Sequence, residues 1–140
     1  MLRAFRALLV LALLCLATGL SACGTRSADL FVVTRTGEGP GARLRMLVGD
    51  GGAVRCNGGP ERRMGDDRLL DARELVRDLE DEAKRGGTLP PGPQSVLSYR
   101  VRTQDGTVAF SDTSPRATAD LRRLASFTLV LAREFCGLAR

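Results

Sequence analysis

Residues 96–112 read VLSYRVRTQDGTVAFSD and carry the clearest folding signal in the chain. In the first half, Leu97, Tyr99 and Val101 alternate with serine and arginine, which is the period-2 pattern of a half-buried strand. An Asp-Gly pair at 105–106 then supplies a turn, and a second apolar run follows it. The stretch therefore predicts an antiparallel β-hairpin with one face in a core and the other face in solvent.

The amino-terminal half predicts three more strands. The run DLFVVTRT (29–36) is rich in β-branched and aromatic residues and ends in a Gly-rich loop. ARLRMLV (42–48) alternates apolar residues with arginines, and GDGG (49–52) turns it into AVRC (53–56). Residues 57–68 have the composition of a loop. This half thus predicts one strand followed by a hairpin.

Two helices are predicted from apolar residues that recur at three- and four-residue steps. In the first, DARELVRDLEDEAKRGG (71–87), Asp71 and Glu74 have the spacing of a capping box and two glycines mark the end. In the second, which runs towards the carboxyl terminus, Ser114 is the expected N-cap and Pro115 the first helical residue.

The predicted element order is βββ-α-ββ-α. A chain of 140 residues suits one domain. We therefore expect residues 29–140 to form a single two-layer α+β domain, with an antiparallel sheet of about five strands and both helices packed on one face.

The first 23 residues, MLRAFRALLVLALLCLATGLSAC, have the three parts of a secretory signal peptide. These are a basic start, an apolar stretch too short for a comfortable membrane span, and a small, polar end. Two other interpretations of this segment are an ordinary secretory signal peptide that is cut nearby and a buried apolar helix.

The last four of these residues, LSAC (20–23), resemble the lipobox of bacterial lipoprotein precursors. The resemblance implies that a signal peptidase removes residues 1–22 and that Cys23 carries a diacylglyceryl group. Residues 23–28 would then comprise the lipidated cysteine and a short tether, and the tether, residues 24–28, reaches less than roughly 20 Å at about 3.5 Å per residue. The lipobox resemblance thus implies a lipid-anchored protein on the extracytoplasmic side of the cell membrane, with its domain close to the membrane surface.

The lipobox interpretation also gives the four cysteines different roles. Cys15 would leave with the signal peptide and Cys23 would carry lipid, so Cys56 and Cys136 remain. Two thiols in an exported domain favour one disulfide, and the alternative is a pair of buried free thiols. A catalytic thiol is disfavoured because the chain contains no histidine to activate it.

The chain carries none of the usual signals of catalysis or metal binding. The absence of histidine removes the commonest general base and the commonest transition-metal ligand. Acids gather where the first helix is expected to begin, but their spacing is not that of a calcium loop, and acids favour a helix N-terminus for electrostatic reasons. These acids are Asp66, Asp67, Asp71 and Glu74. The sequence therefore predicts no enzyme, no cofactor and no metal site.

Arginines alternate with the apolar residues of two predicted strands, so they should project from the face that the core leaves open. They are Arg43, Arg45, Arg100 and Arg102, with Arg55 beside them. Guanidinium groups pair well with carboxylate and phosphate, so this face suits an acidic protein or an anionic envelope component. The alternative is a solvated face in an arginine-rich chain. Interleaved aromatic residues are missing, which argues against nucleic acid.

The stretches VVTRTGEGPGARLRMLV (32–48) and LSYRVRTQDGTVAFSD (97–112), the second of which precedes a final helix, resemble small emfourin-like proteins. That family includes inhibitors of thermolysin-like metalloproteases. Strand order, a Gly-rich first turn and Tyr99 carry the resemblance, whereas the lipid signal, the cysteine pair and the longer final helix depart from it. The expected function is a membrane-anchored, non-catalytic binding module. A surface-tethered protease inhibitor is the alternative that the resemblance implies, and an enzyme of unrecognised type is a third.

Overall fold

The computed structural model describes residues 28–138, and within them the fold is α+β, as the sequence predicts. The strands are β1 (Asp29–Gly37), β2 (Leu44–Gly49), β3 (Ala53–Cys56), β4 (Glu61–Arg63), β5 (Gly87–Thr88), β6 (Leu97–Thr103) and β7 (Thr107–Ser111). The helices are α1 (Asp66–Asp78), α2 (Glu80–Arg85) and α3 (Ala119–Cys136). The seven strands form one sheet in the order β4-β3-β2-β1-β6-β7-β5.

The sheet is larger than predicted and is mixed rather than purely antiparallel. The five predicted strands are β1, β2, β3, β6 and β7, and the structure adds β4 and β5 at the two edges. Strand β4 lies in the predicted loop and consists of three exposed residues, so it has no apolar alternation to reveal it. Strand β5 has two residues and pairs in parallel with β7, which makes the sheet mixed.

The first predicted helix begins earlier and is interrupted. It starts at Asp66, directly after Gly65, which makes no side-chain capping bond, so the capping box predicted at Asp71 and Glu74 is wrong. Acids in the first turn of α1 stabilise that start through the helix dipole. The helical run is divided at Leu79, so the structure has two short helices where the sequence predicted one.

The N-cap predicted for the last helix is also wrong. Thr118 caps α3, and its Oγ1 accepts a hydrogen bond from the Leu121 amide at 3.4 Å. Ser114 is instead buried before the helix, where its Oγ accepts from the Ser111 amide and donates to the Pro90 carbonyl, each at 2.9 Å. The Ser-Pro pair thus closes a turn and holds a distant loop rather than starting the helix.

One face of the sheet and one side of α1 and α3 form a single apolar core. Phe31 and Val33 of β1 alternate with outward residues, as do Tyr99 and Val101 of β6. The helices contribute Leu75, Leu121, Leu124 and Leu131, all fully buried. The rings of Phe31 and Phe127 meet edge to face with centroids 6.5 Å apart, so α3 lies directly on β1.

The predicted disulfide is confirmed. Cys56, at the end of β3, is bonded to Cys136, the last residue of α3, and their Cα atoms lie 5.6 Å apart. A side-chain hydrogen bond reinforces this connection, because the Arg62 guanidinium of β4 donates to the Phe135 carbonyl at 3.2 Å. The end of α3 is therefore attached to the β3–β4 edge of the sheet.

Arg35 is buried on the core face of β1, which the sequence analysis did not foresee. Its side chain is only 1% exposed. The Nε atom donates to the Ala42 carbonyl at 3.2 Å, and Nη2 donates to the Gly41 carbonyl at 2.7 Å. The guanidinium thus holds the Gly-rich loop between β1 and β2 against the end of the core.

Tyr99 gives a direct prediction for alkaline solution. Its ring is 2% exposed and stacks on Phe110 with centroids 5.2 Å apart, and burial raises the pKa of its phenol above the ordinary value of about 10. The unfolded chain therefore releases this proton at a lower pH than the folded chain does. The stabilisation is fully present below the ordinary pKa and is lost as pH rises towards the folded value.

Tyr99 is the only tyrosine and the chain has no tryptophan, so phenolate absorbance reports this residue alone. We expect its titration midpoint to lie above that of the urea-unfolded chain and to coincide with loss of the near-ultraviolet circular dichroism of the folded state. A midpoint equal to that of the unfolded chain, with the fold intact, would contradict the burial of this hydroxyl.

Candidate anion-binding face

The face of the sheet opposite the core is called the open face here. Its central residues are Thr34 and Thr36 of β1, Arg45 of β2, and Ser98, Arg100 and Arg102 of β6, all of them exposed. They alternate with the buried residues of the same strands, which is the arrangement expected of a sheet with one solvated face.

The register of β1 places two of the predicted arginines on either side of one threonine. Thr34 is opposite Arg45 in the β1–β2 pairing and opposite Arg100 in the β1–β6 pairing. Side chains directly opposite in antiparallel strands have Cβ atoms about 5 Å apart. Arg45, Thr34 and Arg100 are therefore consecutive members of one row across the open face.

The other arginines surround this row. Arg102 lies one row away, opposite Val32 of β1, and Arg55 lies on the same side of the sheet on β3. Arg43 is exposed just before β2 and shares a concavity with Thr36 and Arg45. The structure thus brings the four predicted arginines together on one face and places Arg55 at its margin.

The partners of these four arginines bear on whether the open face can bind a ligand. Among residues 28–138, the side chains of Arg43, Arg45, Arg100 and Arg102 have no ion pair within 4.0 Å and no hydrogen bond. Arg55, by contrast, is paired with Glu61 at 3.3 Å. The centre of the open face therefore presents guanidinium groups whose donors face solvent.

Three arginines of the helices, by contrast, are neutralised by nearby acids. The pairs are Arg68 with Glu134 at 2.9 Å, Arg73 with Asp50 at 2.7 Å, and Arg123 with Glu74 at 2.8 Å and with Asp78 at 2.9 Å. The hydrogen bond from Arg123 is the main cause that holds the pKa of Glu74 below its usual value. These three arginines therefore differ from the four of the open face, whose charge is not offset by an adjacent acid.

Two shallow concavities adjoin the central row. One, of about 270 Å³, extends over Ser98 and Ser111 to the loop at 88–91 and includes Arg100. The other, of about 390 Å³, lies on the side of Arg43 and Arg45. Thr34 and Thr36 belong to both, so β1 forms the floor that the two concavities share.

The loop that begins at residue 88 and bounds the first concavity is held in place by hydrogen bonds. Ser114 binds the Pro90 carbonyl, as described above. The carboxylate of Asp112 accepts from the Ser95 hydroxyl at 3.0 Å and from the Leu97 amide at 3.0 Å. A concavity with a fixed wall requires less ordering when a ligand binds.

The threonines and serines of this face were missed in the sequence analysis, although one signal was present. In DLFVVTRT, the alternation of a strand places the side chains of Thr34 and Thr36 on the face opposite to those of Phe31 and Val33. The same alternation places the side chain of Arg35 on the core face. Only the pairing of β1 with its two neighbours shows that Thr34 lies between two arginines.

The other sequence predictions concern the lipidated cysteine, a membrane span and a metal site. Cys23 lies outside the described residues. Within residues 28–138, no helix is long and apolar enough to cross a membrane, and no group of three or more histidine, cysteine or acidic residues is arranged to hold a metal ion. Of the acids near the start of α1, Glu74 is bound to Arg123.

The open face therefore offers hydrogen-bond donors and positive charge without an acid at its centre, and such a surface is suited to binding oxyanions. No protein-family model, no curated protein and no solved structure matches this chain.

Proposed function

We propose that this protein is a lipid-anchored lipoprotein of the bacterial envelope whose domain is a non-catalytic module that binds an anionic ligand through the open face. In this proposal residues 23–28 comprise the lipidated Cys23 and the short tether, and residues 29–140 form one two-layer domain. The observation that supports it best is that four exposed arginines share one face and have no acidic partner among the described residues.

The composition of the face indicates what kind of ligand it suits. Stable protein interfaces depend on aromatic and aliphatic anchors at their centre. The exposed large apolar residues of the described chain are Leu70 on α1 and Val96 just before β6, and neither belongs to the central row. Charge and hydrogen bonding, rather than apolar burial, are thus the means of recognition, which favours an anionic envelope component over an acidic protein.

The binding proposal is tested by reversing two charges of the face. We expect Arg100→Glu with Arg102→Glu to weaken capture of labelled polyphosphate and polyglutamate by at least about tenfold, because charge-assisted hydrogen bonds contribute about 1.5–3 kcal/mol each. Both side chains are exposed, so circular dichroism and thermal unfolding should stay close to those of the original chain.

The matched control is Arg116→Glu with Arg122→Glu, which makes the same change in net charge at exposed positions outside the open face. Capture should be reduced much less in this control. Equal losses in the two double variants would mean that net charge alone attracts the probes and that the open face has no special role.

The anchoring proposal is tested at the cysteine of the LSAC stretch. Cys23→Ala should abolish lipid attachment and leave the precursor uncut, as seen by mass spectrometry of the membrane fraction. Cys15→Ala, which lies in the apolar part of the same segment, is the control and should be processed and lipidated normally. Normal cleavage and continued membrane attachment of the Cys23→Ala chain would contradict the proposal.

A surface-tethered protease inhibitor is the alternative, and the emfourin-like stretches 32–48 and 97–112 are what favour it. A panel of thermolysin-like metalloproteases separates the two functions. Inhibition that persists in the Arg100→Glu, Arg102→Glu variant would favour the inhibitor, since it would not depend on the open face.

A further inference from the structure

We propose that the row formed by Arg45, Thr34 and Arg100 is a subsite for the phosphate of a phosphodiester-linked, hydroxyl-bearing polymer, such as a polyol-phosphate or sugar-phosphate chain. This proposal rests on the binding role of the open face and names the ligand class that the face selects. The row is identified by the strand register, which puts both arginines directly opposite the same threonine.

The geometry favours a tetrahedral oxyanion over a carboxylate. A guanidinium fork that binds both oxygens of a planar carboxylate leaves only their outward lone pairs, so a second fork cannot bind both oxygens at once. The two unesterified oxygens of a phosphodiester diverge from the phosphorus in different directions. One of them can therefore accept from Arg45 and the other from Arg100, while the hydroxyl of Thr34 donates to either.

The electrostatics of the row support the same occupant. Arg45 and Arg100 are both exposed and have no acidic partner among residues 28–138, so their charges repel across Thr34. An anion between them removes that repulsion and adds hydrogen bonds to both. Arg68, Arg73 and Arg123 of the helices, by contrast, are each neutralised by an acid.

The two concavities indicate that the phosphate has substituents on both sides. The subsite lies on the floor that they share, with about 270 Å³ beyond Arg100 and about 390 Å³ beyond Arg45. A phosphodiester extends in two directions from the phosphate, one into each concavity. Ser98 and Thr36, with Asn57 on the far side, provide hydroxyl and amide groups that can pair with the hydroxyls of the linking units.

Two other sources of phosphate fit this face less well. Single-stranded nucleic acid is bound by stacking its bases on aromatic rings. The rings of Tyr99 and Phe110 are buried with the core and stack on each other. A lipid headgroup ends at its phosphate substituent and would fill only one of the two concavities. Both sources are nevertheless outcomes of the experiment below.

The experiment uses the full chain in a non-ionic detergent and a fluorescent poly(glycerol phosphate) oligomer, whose binding is followed by anisotropy. Competitors are polyglutamate of equal charge, oligo(dT), and vesicles of phosphatidylglycerol. We expect each competitor to displace the oligomer only at about tenfold or higher concentration of anionic groups, which corresponds to about 1.4 kcal/mol of selectivity.

Two variants probe the row itself. Thr34→Val keeps the shape and the charge but removes the hydroxyl, and should weaken binding of the oligomer by about threefold to tenfold without changing the binding of polyglutamate. Arg45→Lys with Arg100→Lys keeps the charge but removes the guanidinium forks, and should weaken binding of the oligomer by at least about tenfold. Arg116→Lys with Arg122→Lys is the matched control and should bind the oligomer normally.

Each contrary result has a distinct meaning. If both variants of the row bind the oligomer as tightly as the original chain, the row is not the subsite. If polyglutamate competes equally and its binding is lost with Arg100→Glu and Arg102→Glu, the open face still binds anions and only the phosphate selectivity is wrong. Stronger competition by vesicles or oligo(dT) would overturn the polymer in favour of lipid or nucleic acid. If the original chain binds none of the probes, the binding function proposed above fails as well.

Discussion

Replacing Cys56 and Cys136 together by serine should lower the free energy of unfolding by about 4 kcal/mol and the midpoint of thermal unfolding by roughly 15 °C. The two residues are separated by 80 positions, so the bond removes much of the freedom of the unfolded chain. A loss of this size is a large share of the stability of an ordinary domain, which is about 5–15 kcal/mol.

The structure also indicates which part of the molecule loosens first. The disulfide joins the end of α3 to β3, and only β4 lies between β3 and the edge of the sheet. Without it, the end of α3 is held by exposed contacts such as the Arg62 bond to the Phe135 carbonyl. Amide exchange in the serine variant should therefore rise most in the last turns of α3 and in β3 and β4.

A reducing agent provides an independent control. Dithiothreitol should bring the original chain to the unfolding midpoint of the double serine variant and should leave that variant unchanged. The bond itself is verified by mass spectrometry of an unreduced digest, in which the peptides that contain Cys56 and Cys136 should be linked. An unfolding midpoint that is the same with and without both cysteines would show that the bond does not stabilise the domain.

The parts of the fold that the sequence predicted correctly are those that bury a regular apolar pattern. The hairpin of β6 and β7 is the best example, because alternating residues over 97–103 fit only an extended strand and Asp105-Gly106 fits the turn. The disulfide was predictable for a different reason, namely that two cysteines remained in a chain expected to be exported.

The parts that were missed depend on contacts between distant segments. Strand β4 has no apolar residue and exists because it pairs with β3, as in the contact of Arg63 with Ala53. Ser114 has the local sequence of an N-cap, but its hydroxyl is used by Ser111 and by the loop at Pro90, so the helix starts later. Local propensity was overruled in each case by tertiary structure.

The candidate site shows the same division. Alternation was enough to predict that Arg45 and Arg100 point away from the core. It was not enough to show that they lie opposite the same residue, because that depends on the register of β1 with both neighbouring strands. The row around Thr34, which carries the proposed selectivity, is therefore a property of the folded sheet.

Gly106→Ala should destabilise the domain by about 2–4 kcal/mol, which combines backbone strain with a steric conflict. Gly106 has a φ of 155°, a conformation that L side chains rarely adopt. A Cβ atom there would clash with the carbonyl group of Ala83 and would lie 2.8 Å from its carbon. The clashing atoms of Ala83 belong to the backbone of α2. The conflict can therefore be relieved only by moving α2 away from the turn between β6 and β7.

Gly65→Ala is the matched control, because the same atom is added where no other atom lies within 4 Å. Gly65 precedes α1 with an extended backbone, so the alanine should cost at most about 1 kcal/mol as a poorer N-cap. Denaturant unfolding of both variants measures the difference. If Gly106→Ala were no less stable than Gly65→Ala, the close packing of the β6–β7 turn on α2 would be wrong. The position of Arg100 and Arg102, which this turn fixes through β6, would then have to be reconsidered.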